Sequence, residues 1–428
     1  MSLVVTQREG AIPVQRWLVR VLGIVQGVGF RPFIHRLARR HSLAGSVLNY
    51  AGGVDIEIEG PEAALEAFVA DLQAERPPIA LIESLATEPL SATGHPEFRI
   101  LPSRDGESGP ILVSPDVAIC ADCERELADP ADRRHRHPFI NCTNCGPRYT
   151  IIRAMPYDRP NTSMAAFPMC DRCRVEYGDI DDRRFHAQPV ACPQCGPTLA
   201  YREPAAAGEA ALAAAVEALR AGKILAVKGL GGFHLACDAT NETAVRLLRE
   251  RKGREQKPFA LMAPSLEAIR TFCEVPDYAL GLLQGAQKPI CLLPKNGTEA
   301  FSDSPGGPGE SENASVPFFG VAPSIAPDSA CFGVMLPHTP LHRLLLEQGG
   351  FTALVMTSGN LSDEPLATDN GEAFRRLGHI ADGFLFHDRE ILVGCDDSVV
   401  RPTGAGTIMM RRARGYAPFP VRLPHAQL

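Results

Sequence analysis

Four Cys-x-x-Cys pairs limit how this chain can fold more than any other feature: Cys120/Cys123, Cys142/Cys145, Cys170/Cys173 and Cys192/Cys195. Eighteen residues separate the first pair from the second, and eighteen the third from the fourth. The stretches "CADCERELADPADRRHRHPFINCTNCGP" and "CDRCRVEYGDIDDRRFHAQPVACPQCGP" align without a gap at an offset of 50, with 11 of 28 positions identical. Such self-similarity marks an internal duplication. It brings Asp132-Arg133-Arg134 onto Asp182-Arg183-Arg184. Two thiolates on a tight turn supply half a tetrahedron, and a second pair closes it, so each repeat predicts one structural zinc with no open position. Redox chemistry is the alternative for Cys-x-x-Cys, and four pairs in tandem argue against it. Pairing within each repeat is preferred; pairing between repeats stays open. His135, His137 and His186 are expected to be packing or surface residues, because four thiolates already complete each site.

Twin fingers invite a nucleic-acid reading. Residues 120–195 carry 11 Arg/Lys and 11 Asp/Glu, however, and phosphate-backbone binding needs a basic excess. The whole chain has a net charge of -7, which also disfavours nucleic acid. Its 428 residues exceed one ordinary core, so two to four domains are expected. No apolar run is long enough to span a membrane, and residues 1–14 lack a signal-peptide core; a cytoplasmic protein with no membrane partner is expected. The remaining cysteines (Cys237, Cys273, Cys291, Cys331, Cys395) show no spacing pattern.

Ahead of the array, residues 16–24 read as a strand and 32–41 as a helix. Residues 43–60 read as two strands folded at Ala51-Gly52-Gly53. Residues 61–76 place Leu65, Phe68, Val69 and Leu72 on one helical face. Short strands fit 79–87 and 97–101. The order β-α-β-β-α-β predicts a ferredoxin-like sandwich over 15–101. Residues 102–110 are a linker by composition. At the foot of the first helix stands "VQGVGFR", 25–31. Glycines that let backbone N–H groups converge, a helix N-terminus and an arginine fork together suit an anion. A glycine turn beside a solvated arginine is the plainer alternative.

After the array, 209–220 is an amphipathic helix, "KILAVKGL" a buried strand, and helices and strands alternate to about 412. The polar stretch 296–315 is a surface insertion by composition. "KGREQKP" groups Lys252, Arg254 and Lys257, and an apolar strand ends in Thr357, Ser358, Gly359 and Asn360. Small polar residues at a strand's C-terminal edge are where open α/β sheets place ligands. "GCDDSVVR" and "MMRRARGYAP" add acidic and basic groups, and no Walker-type or dinucleotide-type glycine motif is present.

These three regions, in this order, resemble the hydrogenase-maturation carbamoyltransferase family HypF over roughly 16–420. "VQGVGFR" and "GSVLNYAGGV" resemble an acylphosphatase domain. That resemblance implies Arg31 and Asn49 as catalytic, with Asn49 orienting the attacking water and Gln26, Gly27, Val28, Gly29 and Phe30 forming the phosphate cradle. "RRFHAQP" and "CPQCGP" are similar to the family's zinc-finger segment, set at 110–200. Residues 205–420 resemble a YrdC-like nucleotide-binding domain that makes acyl-adenylates. There the nucleotide-binding residues expected are Lys228, Lys252, Arg254, Lys257, Ser358, Asn360, Ser398 and Arg411, with Lys252/Arg254, Ser358/Asn360 and Ser398 implied directly by the resemblance. The fold expected is therefore multidomain α+β: a ferredoxin-like acylphosphatase domain, tandem four-cysteine zinc fingers and a YrdC-like α/β domain. The implied function is hydrolysis of carbamoyl phosphate to carbamate, then formation of carbamoyl-adenylate with ATP and Mg, toward the cyanide ligands of NiFe-hydrogenase. Family chains usually continue into a further catalytic domain with a metal-binding histidine pair. No such domain follows here, so transfer to a HypE partner is expected only where that domain is supplied. His338 and His342 in "LPHTPLH" lie among prolines and are expected to be structural.

Two rivals differ in class. A threonylcarbamoyl-adenylate synthase for tRNA modification would carry a Pro-Thr-Glu-Thr run where this chain has "KGLGG", 228–232. The other is a non-enzymatic zinc-scaffolded nucleic-acid or protein adaptor, and the neutral fingers argue against its nucleic-acid form.

Overall fold

The computed structural model describes residues 13–421 except 51, 78, 105–112, 298–319 and 362–363. Much of the linker and most of the polar insertion therefore lie outside the described residues. None of the described helices is long and apolar enough to cross a membrane.

The first domain runs β1 (Val14–Ile24), α1 (Phe30–Arg40), β2 (Ala44–Tyr50), β3 (Gly53–Pro61), α2 (Glu62–Ala74), β4 (Leu81–Leu90), with a short β5 (Phe98–Ile100). Its sheet order is β4-β1-β3-β2-β5, the ferredoxin-like arrangement with one edge strand added. The β1–β3 register pairs Val19 with Ile56 and Val21 with Val54. Alternation then turns these four residues onto one face, all fully buried. Ile34 and Leu37 of α1 and Leu65, Phe68 and Leu72 of α2 cover that face. Fully burying each such side chain contributes about 1.5–3 kcal/mol. Helix α1 starts two residues earlier than its apolar pattern predicts, because Gly29 in the left-handed region (φ 73°) caps it.

The cysteine array forms little regular structure. Two short helices, α3 (Ala121–Ala128) and α4 (Asp171–Gly178), each begin directly after the first cysteine of a repeat. Its core is not independent: Ile119, Leu127, Phe139 and Ile140 share one buried cluster with Leu212, Leu345 and Met356 of the following region. The array is thus a fixed piece of that region's packing, whereas the first domain keeps its own core.

Residues beyond 199 build a mixed sheet of eleven strands among the described residues. Its centre places Phe233–Asp238 between Leu225–Lys228 and Leu354–Ser358, antiparallel to both. The connection Gly229–Gly232 is far too short for a crossover helix and joins an antiparallel pair. Those glycines are required by close approach. A Cβ on Gly231 would lie 2.1 Å from the Cys395 carbonyl oxygen, and one on Gly232 would lie 2.3 Å from Leu366 Cδ2.

Candidate functional site

The "VQGVGFR" turn leaves β1 and closes onto α1. Gly27 and Gly29 both have positive φ, 70° and 73°. The backbone N–H groups of Gln26, Gly27, Val28 and Gly29 make no hydrogen bond within the described residues, and Gln26, Gly27 and Gly29 line a small cavity. Arg31 and Asn49 line that cavity with the turn. Asn49 is 1% exposed, and its Oδ1 has no partner. A buried amide oxygen without a donor is costly, and it is placed to accept from a water held beside the cradle. Gln26 braces the turn, donating to the carbonyls of Tyr50 (2.6 Å) and Gly53 (3.0 Å).

The cavity's roof comes from the zinc-finger region, which the sequence does not signal. Asp158 accepts from Arg31 Nη2 at 3.0 Å and from the Ser103 hydroxyl at 2.5 Å. Arg148 donates to the Gly27 carbonyl and to those of Cys145, Pro147 and Thr143. Tyr157 N–H donates to Gln26 Oε1 at 3.2 Å. His186, expected to be a packing residue, lines the cavity as well. Burial, then the charge of Arg31, pushes its imidazole down to about 4, so it is neutral at pH 7.

Both cysteine repeats close on themselves. Cys120, Cys123, Cys142 and Cys145 form one cluster, and Cys170, Cys173, Cys192 and Cys195 the other. Sulfur–sulfur distances are 3.6 Å (Cys120–Cys142), 3.5 Å (Cys123–Cys145), 3.8 Å (Cys170–Cys192) and 3.6 Å (Cys173–Cys195). Zinc–sulfur bonds of about 2.3 Å at tetrahedral angles put sulfurs about 3.8 Å apart, so both sets fit structural zinc and pair within repeats. Four thiolates on Zn²⁺ leave a net charge of -2, and the duplicated arginines meet it reciprocally. Arg133 of the first repeat donates to Cys173 at 2.9 Å and pairs with Glu176. Arg183 of the second repeat donates to Cys123 at 3.2 Å and pairs with Glu126. His135 and His137 join neither cluster.

A second polar centre forms on the large sheet. The Lys252 ammonium donates to the carbonyls of Ser358 (2.6 Å) and Asn360 and to Asn360 Oδ1 (3.2 Å). Ser358 Oγ donates to that same Oδ1 at 2.8 Å. Arg254 donates to Thr357 Oγ1 at 2.9 Å and lies 5.1 Å over the Phe259 ring. Burial, then Arg254, pulls Lys252 down to about 8; burial, then Arg249, pulls Arg254 down to about 10. Among the described residues Lys252 and Arg254 carry no carboxylate partner, which suits an arriving polyanion. Lys257 is exposed nearby, and Arg411 pairs with Asp396 at 2.6 Å. Ser398 is fully buried, and its hydroxyl is engaged by Arg414 O and Ala413 N (2.9 and 2.8 Å), so it braces the 413–414 turn. Lys228 lies elsewhere: its ammonium donates to the His387 and Arg389 carbonyls, in a chamber that Lys252, Arg254, Ser358 and Asn360 do not line. His338 and His342 meet edge to face beside His234, whose Nε2 pairs with Asp397 at 2.9 Å. Asp397 is held in turn by Arg414 at 2.6 Å. Of this cluster the sequence singles out His338 and His342, the acidic "CDD" and the basic run holding Arg414, but not their convergence on His234.

Residues 17–100 match the acylphosphatase family, 119–152 and 169–201 the HypF finger family, and 217–413 the family described as telomere recombination, the Sua5/YciO/YrdC group. Carbamoyltransferase HypF2 of Cupriavidus necator is 48% identical over 429 residues, covering 95% of this chain and 50% of its own. Carbamoyltransferase HypF of Synechocystis sp. is 48% identical over 410 residues, covering 95% and 51%. A crystal structure of full-length HypF in a phosphate- and nucleotide-bound form superposes with a TM-score of 0.87 at 43% identity, over 96% of this chain and 51% of that one. The chain spans about half the length of the curated relatives it matches.

Proposed function

The chain belongs to the HypF carbamoyltransferases, and from that premise we propose that it converts carbamoyl phosphate to carbamate and then to carbamoyl-adenylate. The observation that carries the reading is the unfilled donor ring of Gln26–Gly29 with Arg31 and the partnerless Oδ1 of Asn49. In the first step water attacks phosphorus, the acyl P–O bond breaks, and carbamate and phosphate leave. Preorganised N–H donors and Arg31 meet the charge developing on the phosphoryl oxygens. Asn49 Oδ1 holds the water by one O–H. In the second step the carbamate oxygen attacks the α-phosphorus of ATP, and pyrophosphate leaves. Lys252 and Arg254 hold the nucleotide phosphates beside Ser358 and Asn360, with Mg balancing their charge. Carbamate decomposes in water, so a shielded path between the two sites follows from its chemistry. The setting is cytoplasmic maturation of NiFe-hydrogenase, with HypE as the carbamoyl acceptor.

Pyrophosphate exchange into ATP tests the order. Carbamoyl phosphate with Mg-ATP should drive exchange, and threonine plus bicarbonate should not. Arg254→Ala should lose exchange and keep phosphate release; Arg31→Ala should lose both. Exchange that survives in Arg31→Ala with carbamoyl phosphate as the only carbamoyl source would overturn the scheme.

A further inference from the structure

Asp158 stands behind the acyl phosphate cavity. Its carboxylate accepts from Arg31 Nη2 at 3.0 Å and from the Ser103 hydroxyl at 2.5 Å, yet it does not line the cavity that Arg31, Asn49 and the glycine turn enclose. Ser103 Oγ in turn accepts from Arg31 Nη1 at 3.4 Å. Neither residue belongs to the acylphosphatase match, which ends at residue 100. Ser103 follows it, and Asp158 comes from the zinc-finger region. The Asp158 backbone is held through its neighbour. Arg159 Nη1 donates to the carbonyls of Gln188 (2.6 Å) and Val190 (2.9 Å), and Nη2 to that of Phe167 (2.7 Å). Arg159 N–H donates to Gln188 Oε1 at 2.7 Å. These acceptors stand just ahead of Cys170 and Cys192 in the chain, so the second cysteine cluster anchors the segment that carries Asp158.

The charged groups around this cavity differ in what they can still bind. Arg148 lines it, but its five N–H groups all go to carbonyls, those of Gly27, Cys142, Thr143, Cys145 and Pro147. His186 is neutral at pH 7. Arg31 is therefore the cavity's one side-chain cation with donors to spare among the described residues. Two of its five N–H groups are engaged, on Asp158 and Ser103, and three remain. An unpartnered arginine would have to give up its rotamer freedom at each turnover. Paired with Asp158 and only 9% exposed along its side chain, Arg31 has given it up already, which is what a preorganised donor requires. The same carboxylate has a second effect. It sets a negative charge against any dianion in the cradle, with one guanidinium between them, and so weakens the hold on phosphate.

We propose that Asp158 is a positioning residue for acyl phosphate hydrolysis: it holds the Arg31 fork in its working orientation, and its charge keeps the phosphate product from being retained. The zinc-finger region thus completes the working site of the first domain. The effect on turnover rests on the functional reading above; the effect on phosphate affinity rests only on the ion pair and its place behind the cavity.

Calorimetry of inorganic phosphate binding to the full chain is the first measurement, with Arg31→Ala as the blank for phosphate held elsewhere. Asp158→Asn keeps an oxygen acceptor and removes the charge. It should tighten phosphate about tenfold, the scale of one unit charge acting on a dianion through water-like screening. Phosphate release from saturating carbamoyl phosphate should meanwhile slow about tenfold, because a neutral acceptor holds the fork less firmly and the product leaves later. KM should fall with it. Asp158→Glu should return phosphate affinity to the parent value. Asp158→Ala, which removes the acceptor as well, should slow release about a hundredfold, the cost of a misplaced catalytic group. A plain brace between domains predicts the opposite sign in Asp158→Asn, weaker phosphate together with slower release. Zinc content and melting temperature identify the folded variants. Should Asp158→Asn not fold, Ser103→Ala decides: it loosens the same carboxylate without changing charge, and should slow release about threefold, the scale of one hydrogen bond, at parent phosphate affinity. Equal or weaker phosphate affinity in folded Asp158→Asn, or release at the parent rate in either variant, overturns the inference. A parent that binds phosphate but releases none from carbamoyl phosphate sinks the functional reading instead, and the affinity of Asp158→Asn then still decides whether Asp158 governs the anion held by Arg31.

Discussion

Arg31 and Asn49 show how a residue's role depends on what its neighbours leave undone. The cradle N–H groups and Asn49 Oδ1 have no partners among the described residues, so substituting Asn49 removes chemistry rather than support, whereas substituting Arg31 also removes its ion pair with Asp158. Arg31→Ala and Asn49→Ala should each lower phosphate release from carbamoyl phosphate by at least about a hundredfold, the scale seen when one preorganised donor is lost. Melting should shift little, and phosphate release near the parent rate in both variants would refute the assignment. Lys252 offers a pH test. Burial, then Arg254, holds it near 8 in the free protein, while Lys257 adds repulsion and Asp396 partly offsets it. Because a polyanion binds the protonated form better, nucleotide binding should take up a proton near pH 8 and weaken above it. Calorimetry in buffers of different ionisation enthalpy would reveal the uptake; an affinity flat from pH 7 to 9.5 would exclude Lys252 from the phosphate contacts. The same depressed value means that the fold itself gains stability from this group as pH rises from 8 toward 10.5, the opposite sign to its effect on binding.

At the scale of elements, the zinc repeats are two copies of one turn-helix-turn unit that hold each other. Metal analysis should find two zinc ions per chain, and a value near zero or one would contradict the cluster geometry. Cys142→Ser should destabilise the middle region severely, since structural zinc in finger peptides contributes on the order of 10 kcal/mol to folding; thermal unfolding with and without a chelator measures this. The arginine exchange between repeats leads to a subtler expectation. Arg183→Ala removes a donor to Cys123 and a partner of Glu126, a loss of about 1.5–3 kcal/mol for charge-assisted bonds. Denaturant titration should show that loss with zinc content unchanged. A stability equal to the parent would mean that Arg184, also paired with Glu126, suffices alone.

Across the whole molecule, the three regions are legible in the sequence for local reasons. Cys-x-x-Cys spacing, strand alternation around Val19 and Val21, the helical face of Leu65, Phe68 and Leu72, and the glycine turn before Arg31 each act within a few residues, so periodicity and spacing carry them. The duplication goes further, because two copies with the same Asp-Arg-Arg already imply two equivalent metal sites. What stands over the acyl phosphate cradle could not be read that way. Asp158 reaches Arg31 across 127 residues, and Arg148 reaches Gly27 across 121. Lys228 carries the same charge as Lys252 and sits close to it in the chain, but the short Gly229–Gly232 turn and the 387–389 carbonyls hold it in a different cavity. Ser398 reads as a polar site residue and is buried as a brace, because its hydroxyl is satisfied by residues 15 and 16 positions later. Sequence by itself determined which chemical groups this protein owns and which local elements present them. Tertiary structure decided which groups are satisfied by a distant partner and which, like Asn49 Oδ1, are left buried without one among the described residues, since that balance depends on contacts between residues far apart in the chain.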